Sequence, residues 1–190
     1  MNIEIEKFFS PNFLSRNGDI PDLIVLHQSF RPAESRKKRY LLEESNDSVH
    51  FYITLKGEIW QFVPIIFSSG KDVCSEIDPL SKDHWSRSLS KIIREREKDP
   101  SSYIVSVEFE GIGSGYLSRA QFEAGIKTIK YIKQQLKELY EIDIPINREH
   151  MIGGYKLSPT LFPFEPGLDF PFIKLMEECG DGHRFFEMSI

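Results

Sequence analysis

Hydrophobic and polar positions along this chain change period from segment to segment, and the changes mark its elements. From Tyr103 to Gly111, YIVSVEFEG, the character alternates well, most clearly from Val105 onward. Tyr103, Val105, Val107 and Phe109 point one way, and Ile104, Ser106, Glu108 and Glu110 the other, which is the period of a strand. Leu23 to Ser29, LIVLHQS, is a short, continuous apolar run behind Pro21 and predicts a buried strand. Val49 to Val63 divides into VHFYITL and EIWQFV around Lys56-Gly57, where glycine supplies the positive φ of a tight hairpin turn. The period then lengthens. From Ser118 to Glu141, Phe122, Ile126, Ile129, Ile132, Leu136 and Leu139 form one apolar stripe, and Lys127, Lys130, Lys133 and Lys137 line the opposite side. Ser118 and Gln121 have the spacing of a capping box at the start of this helix.

The remaining segments are shorter. Pro32 to Ser45 is a charged helix with proline in its first turn, read as a solvated face. Ser86 to Arg96 is a short helix broken by Asp99-Pro100, and Phe172 to Glu177 closes the chain, stopped by Gly180. Pro64 to Ser102 is otherwise poorly patterned. Residues 1–22 read as an N-terminal arm with turns at Ser10-Pro11, Asn17-Gly18 and Ile20-Pro21, and 181–190 as a tail. Strands interspersed with helices predict an α/β domain, a central mixed β-sheet flanked by helices. At 190 residues one domain, 1–190, is expected.

Charge removes some functions. A net charge of -5 gives no electrostatic footprint for nucleic acid. No apolar run reaches membrane-spanning length, and MNIEIEKFFS lacks the basic and apolar regions of a secretory signal. Cys74 and Cys179 make no disulfide framework, so a reducing compartment is the default. The chain is expected in the cytoplasm, or released without a signal peptide in a lysis-type event.

Few residues carry candidate chemistry. His27 lies near the end of a buried strand, where the backbone fixes its ring; it is either a metal ligand or a hydrogen-bonded core histidine. Glu108 is either a solvated strand carboxylate or, if desolvated, a proton shuttle with a raised pKa. His50, on one face with Tyr52 and Thr54, is a structural or groove residue. The segment Asn147 to Phe172 holds Pro159, Pro163 and Pro166, which stiffen it, and stiff loops behind a sheet are good places to hold a site.

These segments, taken in order, resemble the N-acetylmuramoyl-L-alanine amidase domain, the zinc amidase fold shared with peptidoglycan recognition proteins. Family members open with a similar S-P-N-x-x-S-R-N-G and continue with I-V-I-H-x-T, whose histidine is the first zinc ligand; here it falls on His27. Their S-x-H-Y-x-I hairpin corresponds to Ser48-Val49-His50-Phe51, and their Y-T-I-G-I-E-H-E-G, with its acid/base carboxylate, places Glu108 in that role. Their D-H-I-I-G-H-Y-x-I, C-P-G or D-P-G, and F-P correspond to Glu149 to Leu157, Glu165-Pro166-Gly167 and Phe170-Pro171.

The departures lie in the chemistry. The second zinc histidine of the family falls on Gly154, and the third ligand on Glu165. Pro163 stands where a helper lysine often precedes that ligand, and the A-W-H-x-G after the hairpin is missing, with Cys74-Ser75 in its place. The resemblance therefore implies the fold with a dismantled zinc site: no cofactor, and a peptidoglycan fragment or other small ligand in the groove near His50, Tyr155 and Trp85. One alternative is an active amidase with His27, His150 and Glu165 on a rearranged zinc and Glu108 as acid/base. An extended chain puts His150 on the order of 13 Å from the lost position, so this needs a local fold-back. Another is a cytoplasmic interaction or regulatory protein using the fold as scaffold.

Overall fold

The computed structural model describes residues 3–70, 84–111 and 114–180. Its strands in chain order are β1 (Glu6–Lys7), β2 (Phe13–Ser15), β3 (Leu23–Ser29), β4 (Phe51–Ile53), β5 (Ile59–Gln61), β6 (Phe67–Ser69), β7 (Ile104–Glu110) and β8 (Met151–Gly153). Six of them form one sheet in the order β1-β5-β4-β7-β3-β8, and β2 and β6 pair as a separate antiparallel ribbon. Only β4 and β5 run antiparallel within the main sheet. The helices are α1 (Ala33–Leu41), α2 (Lys91–Arg96), α3 (Arg119–Tyr140), α4 (Gly154–Leu157) and α5 (Phe172–Cys179). The architecture is the mixed α/β sheet with flanking helices.

Every residue of β3 is buried, as expected of a central parallel strand covered on both faces. One face of the sheet, carrying Ile24, Leu26, Phe51, Ile53, Val105, Val107 and Phe109, packs with α3 and α5 in the main core. The α3 stripe is rotated from the sequence reading. Ile129, Ile132 and Leu136 are fully buried, but Leu139 is 47% exposed. Gly125 faces the sheet instead, and a Cβ on it would come within 3.1 Å of the Phe109 ring, so its bareness lets the helix come close. Gln121 is buried too: its Nε2 donates to the Glu110 carbonyl at 2.6 Å.

The capping box is present, with Ser118 Oγ accepting from the Gln121 N–H and the Gln121 side chain accepting from the Ser118 N–H, both at 3.1 Å. We expect Ser118→Ala to cost about 1 kcal/mol, read as a lower urea midpoint with unchanged slope.

The arm is built into the domain. β1 extends the sheet, and Arg16 is buried with its guanidinium donating to the carbonyls of Ile65, Ser102 and Ile104 at 2.8, 2.8 and 2.9 Å.

Candidate functional site

The second face of the sheet is polar toward the carboxyl ends of the parallel strands. Parallel register sets His27 beside Glu108, and Glu108 beside Tyr52. β8 pairs Gly153 with Leu26, so Gly154, the first residue of α4, emerges next to His27.

A Cβ on Gly154 would stand 2.8 Å from His27 Nδ1 and 3.1 Å from both His27 Cε1 and Phe162 Cβ. The His27 ring therefore lies against a bare α-carbon, edge-on to Phe162 at a centroid distance of 5.0 Å. Its Nδ1 is hydrogen-bonded to Glu165 Oε2 at 2.6 Å, with His27 fully buried and Glu165 17% exposed. The loop bearing Glu165 is pinned at several points. The Tyr155 N–H donates to the Glu165 carbonyl at 3.0 Å, and the Asp169 N–H donates to the Ser114 carbonyl at 3.0 Å. Gly167, at φ +111°, lies so close to Gly115 that an added Cβ would sit 2.2 Å from its nitrogen.

Glu108 is buried, and its Oε2 accepts from the Tyr40 hydroxyl and, at 3.1 Å, from Arg36 Nη2. Burial raises the pKa of this carboxyl; Arg36 pulls it back down, the nearby Glu165 pushes it up, and His27 lowers it. Arg36 also reaches Asp47 Oδ2 at 3.2 Å. The helix read as a solvated face thus sends Arg36 and Tyr40 inward. Their spacing of four, with Asp47 following, is the signal that marks them, since residues four apart share one helix face.

The other candidates are dispersed. The His150 carbonyl accepts from the Ile24 N–H at 2.8 Å, and its Nδ1 is 2.9 Å from the Asp22 carbonyl, which places it at the opposite end of β3 from His27. His50 is fully enclosed, with Nε2 2.9 Å from both Phe67 O and Arg16 Nη2, and Nδ1 accepting from the Ser106 N–H at 3.1 Å. Burial foremost, then Arg16, pushes its pKa down to about 3, against the Phe67 carbonyl. Trp85 is half-buried against the cluster of Val25, Ile93, Tyr103 and Leu157. Tyr155 is half-buried and is the second residue of α4, one residue beyond Gly154. Cys74, Ser75 and the tail 181–190 lie outside the described residues.

A depressed histidine pKa means the unfolded chain binds the extra proton first. Stability from His50 is complete above about pH 6.5 and is lost as pH falls toward 3. We expect the difference in unfolding free energy between wild type and His50→Gln to shrink in that window by about 1.4 kcal/mol per pH unit, measured by urea titration.

Zinc does not fit these residues as they stand. Donors bound tetrahedrally at about 2.0–2.2 Å sit about 3.3 Å apart. The 2.6 Å contact between His27 and Glu165 is a direct hydrogen bond with no room for an ion between its atoms, and Gly154 brings no donor. Among the described residues no group of three or more His, Cys, Asp and Glu side chains could hold a metal ion.

By sequence, no family model and no curated protein matches this chain. Solved structures do. The N-acetylmuramoyl-L-alanine amidase LysC from Clostridium intestinale URNW aligns over 92% of this chain and 95% of its own, with TM-score 0.56 and 18% identity. The chain has the N-acetylmuramoyl-L-alanine amidase fold. A selenomethionine derivative of AmpD shares the amidase fold over 93% of this chain and 96% of its own, at TM-score 0.56 and 18% identity. PlyL does so over 95% and 99%, at TM-score 0.57 and 14% identity. Among the described residues, no helix of this amidase fold is long and apolar enough to cross a membrane.

Proposed function

We propose that this chain uses the amidase fold to bind a ligand without hydrolysing it, a peptidoglycan fragment being the first candidate and another small molecule in the same cleft the second. The observation that carries this reading is the His27–Glu165 hydrogen bond lying over Gly154, where the resemblance calls for a zinc ion and a second histidine. The carboxylate that the resemblance makes an acid/base is also engaged, by Arg36 and Tyr40. A proton shuttle needs to reach a reacting atom, and Glu108 is 1% exposed and paired inward. The position of His150 at the far end of β3 speaks against a rearranged zinc set with His27 and Glu165. The net charge of -5 speaks against nucleic acid as partner.

Calorimetric titration with soluble muropeptides, run beside an assay for muropeptides released from purified peptidoglycan, tests the proposal. We expect saturable binding and no release. Release that depends on added zinc and stops with a chelator contradicts it. Absence of both binding and release favours a scaffold for protein partners instead.

A further inference from the structure

Beyond the carboxyl ends of β7 and β8, on the outer side of the loop that carries Glu165, lies a half-open pocket of about 550 Å³. Its volume is in the range of small-molecule sites, and crevices outside strand carboxyl ends are where open α/β sheets bind ligands. Tyr155, Phe164 and Phe172 bring three aromatic rings to the lining, and Pro163 and Leu168 add aliphatic surface. Among the described residues the lining carries one charged side chain, Asp169.

Phe164 is 73% exposed and Leu168 fully so, and both sit on a segment that cannot readily fold them away. The segment is stiffened by Pro163 and Pro166, tied to β3 through His27 and Glu165, and seated on Gly115 through Gly167. Large apolar side chains held in water on a pinned loop mark a binding surface, and the pinning lowers the ordering cost of binding.

The wall chemistry selects the ligand. Aromatic faces are electronegative and attract weakly hydrated cations, and a carboxylate at the rim adds charge pairing. A strongly hydrated metal ion gains too little from apolar walls to give up its water, and an anion meets Asp169. We propose that this pocket binds an organic ammonium ion, an amine or quaternary ammonium group carried on an apolar body. The proposal does not depend on the zinc reading, because neither the pocket nor its probes involve a metal.

The test is a ¹H–¹⁵N NMR titration of the whole chain with choline and, separately, with 3,3-dimethylbutan-1-ol, which has the same shape without the charge. We expect choline to bind about tenfold more tightly, with the shifts concentrated in residues 155 and 163–172. Asp169→Asn and Phe164→Ala should each weaken choline about threefold or more. Asp169→Asn should leave the alcohol unchanged. Both side chains are exposed, so both variants should melt like wild type. Equal affinity for the two probes, no saturation with choline, shifts elsewhere in the chain, or indifference to Asp169→Asn in a variant that melts normally overturns the proposal.

Discussion

Arg36→Met is expected to be the most destabilising single change in the site, by about 3–5 kcal/mol. Arg36 is 8% exposed and is the cation facing Glu108, which is 1% exposed. Removing it leaves a carboxylate out of water with the Tyr40 hydroxyl as a neutral partner, and Glu165 close enough to push the same carboxyl's pKa up. Pairing repays the burial of two charges only when both are present. Arg36→Met combined with Glu108→Gln should therefore cost less than Arg36→Met alone, and a double-mutant cycle in urea measures the coupling. The effect has a definite sign in pH. A Glu108 carboxyl with a raised folded pKa binds a proton more readily folded than unfolded, so its contribution falls as pH rises above about 4.5. The Arg36→Met penalty should be largest near neutrality and shrink as pH falls through the raised folded pKa, so that it is gone by about pH 4.5. A penalty that stays constant across pH, or no coupling in the cycle, would show that Arg36 does not serve to balance Glu108.

Gly167→Ala should come next, at about 2–5 kcal/mol from two sources. Its φ of +111° is a conformation that side chains resist, and a Cβ there would lie 2.2 Å from Gly115 N and 2.3 Å from the Ser114 carbonyl carbon. Both of those atoms are backbone, so the loop itself has to lift. Lifting it pulls Glu165 away from His27 and opens the aromatic pocket together. Gly154→Ala is a useful contrast. Its Cβ would meet the His27 ring, a side chain that can turn aside at the expense of its bond to Glu165. Its cost should be smaller, about 1–3 kcal/mol. Thermal melts order the two, and the His27 side-chain NMR resonances should move in both. A Gly167→Ala variant that melts like wild type with unmoved His27 signals would contradict the pinned loop.

The parts of this architecture set by local periodicity were legible in the sequence. Alternation in β7 puts Glu108 on the face away from the core of Val105, Val107 and Phe109, and the capping box sets the start of α3 at Ser118. The strands of the arm were not, because β1 and β2 are two and three residues long and are defined by their partners rather than by any pattern of their own. Arg36 was hidden for a different reason. It sits in the run Arg36-Lys37-Lys38-Arg39, where charge alone does not single it out; only its spacing of four from Tyr40 puts it on the inward face, and the buried carboxylate it meets comes from a distant strand. Family resemblance brought His27, Gly154 and Glu165 together as one site. That His27 and Glu165 touch directly, across 138 residues of chain, is a matter of packing that no spacing rule contains.

The proposed absence of zinc rests on the direct contact between His27 and Glu165. The direct measurement is elemental analysis of untagged protein incubated with excess zinc and then desalted, with melting temperature followed before and after a chelator. Zinc far below one equivalent per chain, and a melt indifferent to chelation, is the expected result. A full equivalent of zinc that survives desalting, raises the melting temperature and is lost in His27→Ala would contradict it.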